Sequence, residues 1–187
     1  MAHFGWGFAG VAMALIAASV GQAQTVTGEA AAAMLFAPGK AEVELVGGDV
    51  LPKDQAKVLQ MVAVDQPYYA AIAISPDEGL MSEATVAAAN YHTVEAASAV
   101  ALSECNAKKQ GAADCVVVAL VRPEGWQAQP LQLSSDATAA LADYAGGAMA
   151  VSAATGSWGL GEMPEAAVAA CVDRNPAATD CVAVIAD

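Results

Sequence analysis

Positive charge is scarce in this chain: seven Lys and Arg stand against twenty Asp and Glu over 187 residues, a net charge of −13. That balance repels phosphate backbones and excludes nucleic acid as a partner. The acids are scattered along the chain, which reads as a solvated surface, with a cationic partner as the alternative. Aromatic residues make up only 5%, so the core has to be built from Ala, Val, Leu, Ile and Met through close approach of backbones. Histidine is limited to His3 and His92, and no closely spaced cysteine pair accompanies either, so the usual zinc ligand sets are missing. A Walker lysine and a nucleophile elbow are missing too. No metal, nucleotide or other cofactor is expected. Beyond the first 23 residues no apolar run reaches the roughly 20 residues that a membrane span requires.

Those first 23 residues read as a secretory signal. Phe8 to Val20 is apolar, and Gly21–Gln22–Ala23 supplies a small-x-small cleavage site, although the n-region carries His3 and no Lys or Arg. Gly5, Gly7, Gly10 and Gly21 argue against a buried helix. No lipobox cysteine follows. The expectation is therefore residues 1–23 as signal peptide and 24–187 as a single domain, periplasmic or secreted, with every charged residue retained after cleavage.

What the chain does have is a doubled pattern. Cys105 and Cys115 flank nine residues ending in Asp114, and Cys171 and Cys181 flank nine ending in Asp180; a β-branched run follows each time. Upstream, Ala71–Ser75 is matched by Ala148–Ser152, each the start of a strand–helix–Cys–loop–Cys–strand series. The interval from strand serine to first cysteine is 11 residues shorter in the second copy. Duplication accounts for this economically. It predicts two pseudo-repeats, about 41–121 and 131–187, with the boundary near Arg122–Gly125. Further expected elements are a short helix before Pro38–Gly39, a strand over Ala41–Val46, and a helix from Pro52 with Val58, Leu59 and Val62 on one face. The second copy adds a strand-like stub at Leu131–Leu133 and a helix from Ser134 or Ser135 to about Tyr144. Helices ending at Cys105 and Cys171 complete the reading. The fold class is α+β: two pseudo-repeats sharing a mixed sheet, covered on one face or both by short alanine-rich helices.

Four cysteines permit three pairings. The local pairs Cys105–Cys115 and Cys171–Cys181 are favoured, because each loop can turn a helix end back onto a strand start. In the chain-entropy model each such ring stabilises the fold by about 3 kcal/mol. A redox couple would want C-x-x-C at a helix N-terminus, whereas the first cysteine of each pair falls at a helix C-terminal end.

Candidate site residues are few. His92 would need a partner such as Ser75 or Ser98 to serve a hydrolase, and Asn90–Tyr91–His92–Thr93 is the best polar cluster available. Asp77–Glu78–Gly79 has carboxylates but lacks the alternating ligands of a calcium loop, so it reads as turn chemistry. Gly156–Ser–Trp–Gly–Leu–Gly161 does not fit G-x-G-x-x-G. Trp126 and Trp158, near loops, are candidate binding anchors together with Tyr91 and His92, against the competing reading of core filling.

The run Ala–Ile–Ala–Ile–Ser, the helix ending Ala–Leu–Ser–Glu–Cys105, and Gly–Ala–Ala–Asp–Cys115–Val–Val–Val together resemble a bacterial family of small secreted domains of unknown function. The pattern falls at residues 70–121 and 147–186 and implies a fold without an established activity. The whole chain is also similar to short exported alphaproteobacterial proteins labelled 5-aminolevulinate synthase. That label implies a pyridoxal-phosphate enzyme with a Schiff-base lysine. Of the five lysines (Lys40, Lys53, Lys57, Lys108, Lys109), none lies in such a motif, so no catalytic residue carries across. The functional expectation is a non-enzymatic binding module of the cell envelope with a protein, peptide or glycan partner; the alternative is a hydrolase using His92.

Overall fold

Two runs of small apolar residues form the central strands of two separate antiparallel sheets. The computed structural model describes residues 25–187; the expected signal segment, 1–23, lies outside them. In the first half, α1 (Gly28–Ala32) precedes β1 (Ala41–Leu45), α2 (Lys53–Ala63), β2 (Ala70–Ile74), β3 (Val86–Ala88), α3 (Val94–Lys108) and β4 (Val116–Pro123). The second half holds α4 (Ser135–Ala140), β5 (Ala148–Val151), β6 (Trp158–Gly161), α5 (Pro164–Arg174) and β7 (Val182–Ala186). Strand order is β1-β4-β2-β3 in one sheet and β6-β5-β7 in the other.

The α+β class and both local disulfides are as expected, with Cα atoms 6.1 Å apart in Cys105–Cys115 and 6.2 Å in Cys171–Cys181. The shared mixed sheet is not formed. No strand of one sheet pairs with a strand of the other: β1 adds to the far side of β4, and Val26 bridges to Ile185 on β7. Each half instead closes its own unit, in which a helix carries the chain from one neighbour of the central strand across to the other.

The duplication extends to single residues. Ile74↔Val116, Ala73↔Val117, Ile72↔Ala119 and Ala71↔Leu120 in the first sheet match Val151↔Val182, Ala150↔Ala183, Met149↔Ile185 and Ala148↔Ala186 in the second. Both ladders slip at the same place, leaving Val118 and Val184 as the extra residue of a β-bulge.

Both sheets are covered on both faces. In the first half, α3 packs Ala97, Ala101 and Cys105 onto Ala71 and Ala73, while α2 packs Leu59 and Ala63 against Ile72, Ile74 and Val121. In the second, α5 places Ala167 and Cys171 on Ala148 and Ala150; Ala31, Leu131, Leu133 and Ala137 cover Met149 and Ile185. Being buried on both faces, β2 and β5 read as continuous apolar runs.

Several expectations need correcting. Leu59 turns inward at 2% exposure, but Val58 and Val62 face solvent at 55% and 56%; the buried stripe is Leu59 with Ala63, four residues on. Leu131–Leu133 forms no strand; both leucines instead pack into the second-half core with Ala137, Met149 and Ile185. Helix α4 stops at Ala140, a 3-10 turn taking over at Leu141–Asp143. The cysteine helices run on past Cys105 and Cys171, to Lys108 and Arg174, so each disulfide leaves the last turn of a helix rather than its end. Two strands were not anticipated: β3, only three residues long, and β6, inside the glycine loop. The glycines of β6 have a packing reason. A Cβ on Gly159 would lie 2.6 Å from the Ala167 carbonyl oxygen, and one on Gly161 would lie 2.7 Å from the Ala166 carbonyl carbon. Helix α5 thus rests directly on strand backbone, which only glycine allows.

Candidate functional site at the seam between the halves

The polar cluster Asn90–Thr93 lies where the first half meets the second. Thr93 caps α3, its hydroxyl accepting from the Ala96 N–H at 3.1 Å. Asn90 sits in the left-handed region (φ 64°). From there its amide nitrogen donates to Asp136 Oδ2 at 2.7 Å while its oxygen accepts from the Asp136 N–H at 3.1 Å. Gly156, at φ 71°, comes so close that a Cβ there would meet the Asn90 carbonyl oxygen at 2.8 Å. Tyr91 is half-buried beside the α3 cluster, and burial raises its phenol above the ordinary value.

His92 is 4% exposed and ties three segments together. The Ser134 N–H donates to Nδ1 at 3.0 Å, so Nδ1 is the acceptor. That leaves the proton on Nε2, which donates to the Ser157 carbonyl oxygen at 3.1 Å. Burial pushes the imidazole below its ordinary value, outweighing the Ser157 hydrogen bond and the nearby charge of Asp180. Neither nitrogen faces a serine hydroxyl or a carboxylate; Ser98 is bonded to the Val94 carbonyl instead. A base whose two nitrogens are both engaged by backbone groups has no lone pair to offer a substrate.

In front of this pin lies an open cleft of about 300 Å3, lined by Asn90, Asp136, Thr155, Trp158, Arg174 and Asn175 among others. The Arg174 guanidinium lies 3.7 Å from the centre of the Trp158 ring, and its Nε donates to the Trp158 carbonyl oxygen at 2.8 Å. Stack and hydrogen bond together fix the side chain and spare its terminal N–H groups, the part of arginine that recognises carboxylates and other planar acceptors.

Trp126 does not join this cleft. It lines a separate groove of about 360 Å3 with Glu42, Val43, Glu44 and Arg122, packed against the Tyr68–Tyr69 cluster. Arg122 lies 4.8 Å from its ring centre and is ion-paired to Glu44. Burial pushes the neighbouring Tyr69 phenol up to about 12. Asp77 and Glu78 hold no metal geometry either. Asp77 Oδ2 accepts from the Ala113 N–H, and Glu78 Oε2 from the N–H groups of Gln110 and Gly111, which fastens the first cysteine loop. Among the described residues no group of three potential ligands is placed for a metal. No described helix is long and apolar enough to cross a membrane.

Sequence reasoning found Trp158 and the Asn90–Thr93 cluster but missed Asp136, Thr155, Arg174 and Asn175. One signal was present. The chain has only two arginines, Arg122 and Arg174, and each lies over one of the two tryptophans that follow Ala23.

Family models, curated proteins and solved structures give no match to this chain. Its chemistry is read from the cleft alone.

Proposed function

We propose that the protein is an exported, disulfide-stapled binding module of the cell envelope, without catalytic activity, which takes a peptide, protein or glycan ligand in the seam cleft. The observation that carries this reading is the locked Arg174–Trp158 pair, an aromatic surface beside a positioned hydrogen-bond donor in a chain with few of either. Export is supported by the signal-like residues 1–23 and by two disulfides, which persist in oxidising compartments. A hydrolytic role for His92 draws no support from the geometry of its ring. The resemblance to small secreted domains of unknown function agrees with a binding role but names no ligand.

Titration of 15N-labelled protein with envelope peptides and glycan fragments tests this. Ligand should shift the Trp158 indole and Arg174 side-chain signals, and Trp158→Ala should weaken binding about tenfold or more. Binding is measured well below the melting temperature, which itself falls in this variant because Trp158 packs against the Met149–Ile185 core. Shifts confined to the Trp126 groove, or hydrolytic turnover lost in His92→Gln, would refute it.

A further inference from the structure

Helix α2 buries Leu59 and Ala63 and presents a second apolar stripe to solvent, with Val58, Met61 and Val62 at 55%, 73% and 56% exposure. These positions follow the i, i+3, i+4 spacing of one helix face. Val64, 43% exposed, extends the stripe, and the backbone keeps helical angles through it (φ −62°, ψ −22°). An outward stripe of this kind on a soluble helix marks a contact surface.

Charge identifies the occupant. Lys57 lies four residues before Met61 and Asp65 four residues after, each about 6 Å along the axis. Both are exposed, and neither has an ion-pair partner among the described residues. Over residues 53–65 the charged side chains are Lys53, Asp54, Lys57 and Asp65, which sum to zero in a chain of −13. A neutral, self-matching stripe has little to attract it to an anionic membrane or a strongly charged partner. Two copies of an acidic protein can also meet there with little net repulsion.

We infer that α2 is a self-association face, through which two copies of this chain pair antiparallel about a two-fold axis at Met61. Lys57 of each copy then faces Asp65 of the other, and Val58 faces Val64. The contact is isologous, so both copies use the same patch. It is independent of the seam cleft.

Sedimentation velocity of the mature protein, from micromolar to millimolar concentration, is the test. A monomer–dimer equilibrium is expected. Met61→Asp should abolish it. Lys57→Asp alone and Asp65→Lys alone should each weaken it about tenfold, and the two changes combined in one chain should restore it, because both cross-pairs then reappear with reversed sign. All three positions are exposed, and unchanged melting curves verify that each variant folds. A monomer at every concentration, a dimer indifferent to Met61→Asp, or a double variant weaker than either single one would overturn the inference. Binding to anionic vesicles that Met61→Asp abolishes, with no dimer in solution, would overturn it as well.

Discussion

Helix α3 of the first half rests on side chains, and helix α5 of the second rests on backbone. By the shared register, Val86 and Ala88 in β3 occupy the places of Gly159 and Gly161 in β6. Where the first half fills the gap with a valine and an alanine, the second has nothing, and α5 descends onto the strand. The fastening between loops is also reversed. In the first half the acids Asp77 and Glu78, just after the central strand, grip the backbone of the cysteine loop. In the second, Asp180 on the cysteine loop grips the segment after the central strand, accepting from Ser152 Oγ at 2.5 Å and the Ala154 N–H at 3.0 Å. Ladder, bulge and disulfide are thus common to both copies, while helix height and the direction of the acid clasp are free to differ.

The largest effect should come from exchanging the helix supports. Gly159→Val, which installs the first half's residue, drives a branched side chain into the main chain of α5 and should cost about 3 kcal/mol or more. The reverse exchange, Val86→Gly, leaves a partly collapsible gap and weakens a strand; it should cost about 2 kcal/mol. Denaturant unfolding of both variants measures the difference. Equal losses would mean that α5 can lift as easily as α3 and that the helix heights are incidental.

Removing the disulfides asks whether the common parts are equivalent. Both rings span a sequence separation of 10, so Cys105→Ala with Cys115→Ala, and Cys171→Ala with Cys181→Ala, should each cost about 3 kcal/mol. Chemical denaturation should find the two losses within about 1 kcal/mol of each other. A larger gap would assign the loops' stability to the clasps rather than the rings.

Acid should act at the seam before it acts on either half. The His92 imidazole is held below its ordinary value in the folded protein, so the unfolded chain binds the proton first. Stability from this residue is complete above about pH 6.5 and falls as pH drops below that value, by at most about 1.4 kcal/mol per pH unit, until the folded imidazole itself titrates. A protonated Nδ1 would oppose the Ser134 N–H across 3.0 Å. The protection factor of the Ser134 amide, its exchange rate relative to the intrinsic rate at each pH, should therefore fall on acidification before those of β2 or β5. Simultaneous loss of protection everywhere would mean that the seam and the two sheets open as one unit.

How much of this was legible in the sequence follows the same division. The duplicated parts were readable because both depend on local spacing: Cys105 to Cys115 and Cys171 to Cys181, and the apolar runs that become β2 and β5. What escaped depends on partners far along the chain. Glycines 159 and 161 look like a loop until α5 is placed on them. Arg174 looks like an ordinary last-turn cation until β6 brings Trp158 beneath it. His92 was picked out for its chemistry, yet its two ring partners come from backbone 42 and 65 residues away, and backbone groups leave no trace in residue type. The exposed stripe of α2 was misassigned because periodicity detects an apolar face without telling which way it points.

The smallest effect tests the reversed clasp, at two residues that occupy the same place in the repeat. Asp114 and Asp180 each precede the second cysteine of their pair. The Asp114 side chain is 92% exposed and pairs with the Lys109 ammonium at 2.9 Å. Asp114→Ala should leave stability unchanged within error, as for most surface ion pairs. Asp180 also stands near solvent, so its two hydrogen bonds are partly replaced by water when lost; Asp180→Ala should cost about 1 kcal/mol. In the first half the comparable loss should instead follow Asp77→Ala, which removes the bond to the Ala113 N–H at 2.8 Å, also near solvent. Paired melting curves of the three variants measure this. If Asp114→Ala and Asp180→Ala lose the same amount, position in the repeat decides what the aspartate does; if Asp180 and Asp77 behave alike and Asp114 does not, each copy has kept a clasp and moved the residue that makes it.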